Sequence, residues 1–168
     1  MMSARQGDGT PDIAAIWACL EGIADPEIPI LSLVDLGIIR DVRVGDGVDI
    51  DVAPTYSGCP ATEVIEQQVR EALDEVGVAR VTVRRVLSPP WTTDWISAAG
   101  REKLAAYGIA PPAGRAGKRA LFEADRPVAC PRCQSMETTR VSEFGSTACK
   151  ASYKCDTCLE PFEYFKCI

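Results

Sequence analysis

Apolar residues recur at helical spacing in three stretches of the chain, and each stretch predicts a helix. The first should begin at Thr10 and Pro11, as N-cap and first helical residue, and be ended by Asp25-Pro26. The second spans 61–76, and a weaker third spans 97–107. The apolar stripe of the second helix consists of Ile65, Val69, Ala72, Leu73 and Val76.

Alternating apolar and polar residues predict three strands, at 38–44, 48–53 and 78–86. The first two flank Gly45-Asp46-Gly47, which is typical of a hairpin turn, and Val48, Ile50 and Val52 should face the core. Residues 25–37 show no sustained period, and we expect an ordered loop with a short helical turn. The order helix, hairpin, helix, strand predicts an α+β fold, a small three-stranded mixed sheet with helices on one face.

Composition divides the chain into four parts. Residues 1–11 should be a disordered N-terminus, and 12–107 should form the α+β domain. Residues 108–120 are rich in Gly, Pro and Ala, as a linker would be. Residues 121–168 are too few to build much of a core without a staple, and they hold six of the eight cysteines. We therefore expect a four-cysteine, zinc-ribbon-like β domain there.

The chain has eight cysteines and no histidine, which restricts its chemistry. Ser-His-Asp and Cys-His catalytic pairs, Rieske centres and histidine-bound catalytic zinc are excluded, so thiolates or carboxylates must hold any metal. No apolar run approaches the ~20 residues of a membrane span, and no signal-peptide core is present. We expect a cytoplasmic protein without membrane contact, whose thiols stay reduced.

The charge pattern opposes nucleic-acid binding. The net charge is -6, and residues 1–111 carry nine basic against seventeen acidic side chains. Residues 112–168 carry nine against seven, which four thiolates and a divalent metal would bring to about zero. Neither part offers the basic footprint that phosphates require.

The tail contains two CxxC pairs, separated by 21 residues. Two such turns can complete a tetrahedron of sulfur about one metal, with metal–sulfur distances near ~2.3 Å. A structural zinc is the simplest interpretation, and a rubredoxin-like iron in the same thiolates is the alternative. Cys149 and Cys167 could be small buried hydrophobes, or additional ligands if an iron–sulfur cluster uses another set of four. The four pair members are Cys130, Cys133, Cys155 and Cys158.

A second candidate site surrounds Cys59, which lies in a Ser-Gly-Cys-Pro loop directly before the second helix. Near the N-cap, its thiol pKa should be lowered, which would suit a nucleophile or a soft-metal ligand; a plain turn is the alternative. The acidic residues Asp25, Glu27 and Asp35 are interleaved with apolar ones, and they either carry chemistry or cap turns. Cys19 lies at helical spacing among apolar residues and should be packing.

Three segments resemble the iron–sulfur-cluster-assembly domain of the MIP18-like proteins: DPEIPILSLVDLGIIRDV from residue 25, PTYSGCPA from residue 54 and SPPWTTDWI from residue 88. The tail, CPRCQS…FGSTACKASYKCDTCLEPFEYFKC, resembles the PaaD (PaaJ) branch, whose members accompany the 1,2-phenylacetyl-CoA epoxidase of bacterial phenylacetate degradation. The resemblance covers residues 12–168, and Gln134 replaces the glycine usual after the second tail cysteine. It implies that the tail pairs hold a metal and that a cluster-handling site is formed by Asp25, Glu27, Asp35, Thr55 and Cys59.

The resemblance implies an accessory protein without independent catalysis, which matures or delivers iron or iron–sulfur centres to the oxygenase or its reductase. Iron or a cluster would bind transiently at Cys59, and the partners would be other epoxidase subunits, with a homodimer left open. The alternative is a non-catalytic relay or structural component of the oxygenase with a rubredoxin-like tail metal. Because the chain has no GxGxxG fingerprint, such a relay would pass one electron at a time.

Overall fold

The computed structural model describes residues 12–56, 58–112 and 128–167. Within these residues, no helix is both long and apolar enough to cross a membrane. A single turn of 3-10 helix covers Thr93–Trp95. The helices and strands are α1 (Ile13–Glu21), β1 (Ile39–Val44), β2 (Val48–Val52), α2 (Thr62–Glu75), β3 (Val81–Arg85), α3 (Ala98–Tyr107), β4 (Ile109–Ala110), β5 (Thr138–Ser142), β6 (Lys150–Cys155) and β7 (Pro161–Phe165).

The first sheet has the order β1-β2-β3, and it confirms the predicted mixed, three-stranded arrangement. β1 and β2 form the antiparallel hairpin, whereas β3 returns parallel to β2 after α2. The three residues predicted to face the core, Val48, Ile50 and Val52, are at most 1% exposed. On the opposite face Asp51 pairs with Arg43 at 2.7 Å. Because a slip of one residue would exchange these faces, the alternation fixes the register.

The ends of the helices differ from the prediction. Asp12 is the N-cap of α1, since its side chain accepts a hydrogen bond from the Ala14 N–H at 3.1 Å, and the predicted cap at Thr10 is wrong. The helix also ends earlier than predicted, at the C-cap Gly22. In α2 the predicted stripe is buried except at its end: Val76 lies beyond the last helical residue and is 60% exposed.

The loop at 25–37 is ordered, as predicted, because the segment after β3 holds it in place. Gly37 has φ +66°, and a Cβ there would lie 2.6 Å from the Trp95 carbonyl oxygen. The indole N–H of Trp91 donates to the Leu36 carbonyl at 2.9 Å, and Trp91 is buried. A backbone turn in close contact with a buried tryptophan cannot shift without opening a cavity.

The second sheet has the order β4-β7-β6-β5. β5 and β6 form the hairpin expected between the two cysteine pairs, and β7 adds antiparallel to β6. The composition of 108–120 predicts a linker, yet Ile109–Ala110 form β4, pair parallel with β7 and are buried. Residues 113–120 of that linker and the predicted disordered residues 1–11 lie outside the described residues.

The second sheet, which we call the ribbon, shares a hydrophobic core with the first. Cys149 and Phe165 from the ribbon belong to the same buried cluster as the residues of β2 and α2. Phe165 is fully buried, and its ring centroid lies 6.1 Å from that of Trp91. The ribbon is therefore docked on the first domain through the end of β7.

We expect Phe165→Ala to lower the free energy of unfolding by about 3–5 kcal/mol, the usual cost of removing a buried phenylalanine side chain. Urea unfolding of the full chain measures it. Phe144→Ala is the matched control: Phe144 is 62% exposed and should cost under about 1 kcal/mol. Equal effects of the two substitutions would show that the end of β7 does not anchor the ribbon.

Candidate functional site

The four predicted tail thiols meet at one point, within 4.8 Å of one another. Sγ of Cys130 lies 3.8 Å from Sγ of Cys158, and Sγ of Cys133 lies 3.6 Å from Sγ of Cys155. A tetrahedron with metal–sulfur bonds of ~2.3 Å has sulfur–sulfur edges of about 3.8 Å. The donor set and its spacing therefore fit a tetrahedral metal ion held by four thiolates.

Two turns of the same geometry present these thiols. The Cys130 N–H donates to the Ser135 carbonyl at 2.9 Å, and the Cys155 N–H donates to the Glu160 carbonyl at 2.9 Å. The residue after the second cysteine has a positive φ in both turns, +61° at Gln134 and +63° at Leu159. Gln134 thus adopts the left-handed backbone conformation that glycine usually takes at this position. Leu159 holds the same position in the second turn as Gln134 in the first. The sequence reasoning missed this, although the repeated CxxC spacing indicates it.

Backbone amides also favour the thiolate form in the second turn. The Cys158 N–H donates to Sγ of Cys155 at 3.4 Å and is the main cause of a pKa of about 7 at that thiol. Burial and the neighbouring sulfurs raise the pKa of Cys158 in the same turn to about 12, so Cys155 is the thiol of this turn that ionises first.

A separate, small cavity lies beside Cys59. It has a volume of about 10 Å³, roughly the space that one water molecule needs. Much of its wall is formed by apolar side chains from the loop, from Ile38 directly before β1, from α2 and from β7. The polar or sulfur-bearing residues that line it are Asp25, Glu27, Thr55, Cys59 and Cys149. Four of the five predicted cluster-handling residues are therefore brought together, and Asp35 is not among them.

Cys59 lies two residues before Ala61, the N-cap of α2, and it is half-buried. Its carbonyl accepts hydrogen bonds from the Thr62 N–H at 3.2 Å and the Thr62 hydroxyl at 2.9 Å. Burial raises the pKa of its thiol, and the charges of Glu27 and Asp25 add to that effect. They outweigh the hydrogen bond from the Ala61 N–H. The predicted lowering of this pKa is wrong, because burial cannot be read from the loop sequence.

The two acidic residues of the cavity, Asp25 and Glu27, lie two positions apart in the loop, and Asp25 is buried while Glu27 is half-buried. Asp25 is 5% exposed, and one of its carboxylate oxygens accepts from the N–H groups of Glu27 and Ile28 at 2.9 and 2.8 Å. Burial is the main cause of a raised pKa at both carboxyls. Asp25 thus caps a turn and also lines the cavity.

Asp35 has a different position and different partners. Its carboxylate accepts hydrogen bonds from Lys103 at 2.6 Å, Ser97 at 3.0 Å and the Ser32 N–H at 3.2 Å. Burial alone would raise its pKa, but these bonds together hold that pKa below its ordinary value. Asp35 therefore ties the loop to Ser97, the N-cap of α3.

Cys149 also lines this cavity, which sequence reasoning did not predict. It is 3% exposed and lies directly before β6. Cys155 follows Cys149 by six positions of extended chain, which span about 20 Å, so Cys149 lies far from the four tail thiols. Cys167 lies beside the Tyr164 hydroxyl, 3.2 Å from its oxygen. Neither residue belongs to the four-thiol group.

In the comparisons with known proteins, separate family models match the two parts of the chain. A family model described as "PaaD zinc beta ribbon domain" matches residues 114–166, and one described as "Iron-sulfur cluster assembly protein" matches residues 13–84. A protein of Escherichia coli (strain K12) that is named as a subunit of 1,2-phenylacetyl-CoA epoxidase is 53% identical over 159 residues, 94% of each chain. The chain belongs to the PaaD family.

Other relatives of this PaaD family member match the first domain alone. The Fe-S protein maturation auxiliary factor YitW of Bacillus subtilis (strain 168) is 36% identical over 85 residues, 49% of this chain and 82% of the relative. SufT of Staphylococcus aureus (strain USA300), a factor of the same description, is 41% identical over 78 residues, 45% and 88% of the two chains.

A solved structure confirms the fold of the first domain. The domain of unknown function DUF59 from Bacillus anthracis superposes with a TM-score of 0.51 and 28% identity. The match covers 54% of this chain and 89% of that one.

Replacing Gln134 by glycine should stabilise the ribbon by about 1 kcal/mol, because a left-handed φ strains any residue with a Cβ. Thermal unfolding of the metal-loaded chain measures the gain. Arg132→Gly provides the control. Arg132 has no positive φ, so a glycine there should only lower the stability of the protein. A loss of stability in Gln134→Gly would contradict the assignment of strain to that residue.

Asp25→Asn should raise the melting temperature at neutral pH, because it keeps the two backbone hydrogen bonds and removes a buried charge. The folded pKa of Asp25 lies above its ordinary value of 3.8. The charged form therefore costs stability above that raised pKa, and the cost disappears as the pH falls towards 4. Melting curves between pH 4 and 8 test this, and a gain that is equal at every pH would contradict it.

Proposed function

We propose that this chain is an accessory protein of the phenylacetyl-CoA epoxidase system, which receives iron or an iron–sulfur centre at Cys59 and passes it to the oxygenase or its reductase. The name of the E. coli relative supports the system, and the names of the first-domain relatives support the role in maturation. Other epoxidase subunits would then be its partners. The observation that carries the proposal is the cavity that is lined by the Cys59 thiol, the buried carboxyl of Asp25 and the half-buried carboxyl of Glu27.

The chemistry of this cavity suits transient binding. Soft sulfur binds iron well and still exchanges with other thiolates. Burial keeps the Cys59 thiol protonated near neutral pH, so binding of iron must release that proton. The same proton can return when the cargo leaves, which makes release to a client favourable.

The cavity does not suit catalysis on the epoxidase substrate. Ligand pockets for drug-sized molecules have volumes of about 300–1,000 Å³, whereas this one measures about 10 Å³. An acyl-CoA thioester cannot enter it. The cavity at Cys59 is therefore not a site for that substrate.

We assign zinc to the four tail thiolates, as a structural ion. Cys130, Cys133, Cys155 and Cys158 would hold it and replace the core that so short a segment lacks. The boundaries that we propose are 12–107 for the assembly domain and 121–168 for the ribbon domain, which also contacts the short strand β4.

Anaerobic reconstitution of the oxygenase tests the role of Cys59. The wild-type protein should leave the oxygenase loaded with iron, and Cys59→Ser should leave it short of iron by metal analysis. Cys19→Ser is the control, since Sγ of Cys19 donates to the Ala72 carbonyl at 3.4 Å and packs α1 against α2. It should behave as wild type.

A different result would favour the electron relay. If a fully loaded oxygenase turns over only when this protein is present, and Cys59→Ser has no effect, the maturation role is wrong. Visible absorbance of the tail metal that bleaches on reduction would agree with that outcome. A colourless protein with about one zinc per chain would contradict the relay.

A further inference from the structure

We propose that Cys149, which the ribbon supplies, is a second thiolate ligand of the cargo at Cys59, so that the binding site is built across both domains. This inference rests on the proposed function, and it adds to it a ligand and a reason for the ribbon. The observation behind it is that Cys59 and Cys149, 90 residues apart in the sequence, line one small cavity.

The position of Cys149 is fixed by the ribbon. Its carbonyl accepts from the Lys166 N–H at 3.0 Å, and the next residue, Lys150, pairs with Phe165 across β6 and β7. Phe165 lines the same cavity and is fully buried. The docking of β7 on the first domain therefore places the Cys149 thiol at the cavity and holds it there.

Tyr56 is a further side chain on which both thiols act. Burial raises the pKa of its phenol, and the charges of Cys59, Glu27 and Cys149 raise it further. The Tyr56 side chain is thus within electrostatic reach of both sulfurs and of the Glu27 carboxylate.

The charges around the cavity suit a cation. Two thiolates and the carboxylates of Asp25 and Glu27 would bring four negative charges to the cavity wall. Lys150 is 4% exposed, and its ammonium pairs with Glu163 at 2.7 Å. It also acts on Asp25 and Glu27, whose pKa values it lowers slightly against the effect of burial. The Lys150 ammonium is already paired with Glu163, so a ferrous ion would add two positive charges where the cavity has an excess of negative ones.

The sulfur and oxygen donors of the cavity fit iron that must be passed on. Two thiolates bind iron more tightly than one, and they leave the remaining positions of the shell open. A client's thiolates can then enter those positions before the iron leaves Cys59 and Cys149. By contrast, four thiolates, as in the tail, would form a closed site.

Two other cysteines provide matched controls. Neither Cys19 nor Cys167 lines the cavity. Cys19 donates to Ala72 between two helices, and Cys167 contacts the Tyr164 hydroxyl. Each is partly buried, so its replacement by serine changes the protein to a comparable degree without touching the cavity.

The test is an anaerobic titration of the zinc-loaded full chain with ferrous ammonium sulfate, with X-ray absorption at the iron edge to count sulfur ligands. Wild type should show about two sulfurs per iron, and Cys149→Ser about one. The loss of an outer-shell partner lowers metal affinity by about 10–100-fold. Because Cys149 would be a direct ligand, the affinity of Cys149→Ser for ferrous iron should fall by more than that. Cys19→Ser and Cys167→Ser should match wild type in both measurements.

The outcomes separate this inference from the proposed function. Wild type that binds no iron overturns both. If Cys59→Ser loses iron while Cys149→Ser keeps the wild-type affinity and sulfur count, the inference alone is wrong. Zinc content and melting temperature of each variant show whether it has folded.

Discussion

The packing of Phe165 against Trp91 joins the two halves of this protein, and the rest of the architecture depends on it. Trp91 also holds the loop at 25–37 through its bond to the Leu36 carbonyl. The same tryptophan therefore fixes the acidic loop on one side and receives the ribbon on the other. This contact and the pairing of β4 with β7 together place Cys149 at the cavity of Cys59.

β6 connects the metal-binding end of the ribbon with the cavity. Cys155 lies at its C-terminal end among the four tail thiols, and Cys149 directly precedes its first residue. A metal in the tail would thus hold one end of the strand, and the core holds the other. This arrangement explains why a segment so short can present a side chain at a defined position: both ends of the strand are fixed.

Residue patterns predicted the parts of the structure that depend on local order. The alternation in 48–52 placed β2 and its buried face correctly, and the spacing of the cysteine pairs identified the four-thiol group. The start of α1 was missed because Thr10 and Asp12 are both good N-caps, and only the hydrogen bond to Ala14 distinguishes them. The pKa of Cys59 was missed because its burial comes from residues far away in sequence.

The grouping of Cys59 with Cys149 depends on docking, which no periodicity encodes. The same holds for Asp35, whose acidic character and position in the loop made it resemble Asp25. Its partners Ser97 and Lys103 come from α3 and its cap, so its role is to hold the loop. Two aspartates ten residues apart in one loop thus differ in pKa direction. Asp35 accepts from an ammonium, a hydroxyl and a backbone N–H, whereas burial dominates at Asp25.

The buried acidic groups have a cost that the fold alone does not explain. A domain built only for stability would place neutral residues at Asp25 and Glu27, since burial works against their charged forms. Proteins keep such unfavourable groups where a ligand uses them. A cation bound between these carboxylates and the two thiols would relieve the cost when it arrives and restore it when it departs. The bound cation would then be held by these carboxylates and thiolates tightly enough to be carried. A client with ligands of its own could still remove it.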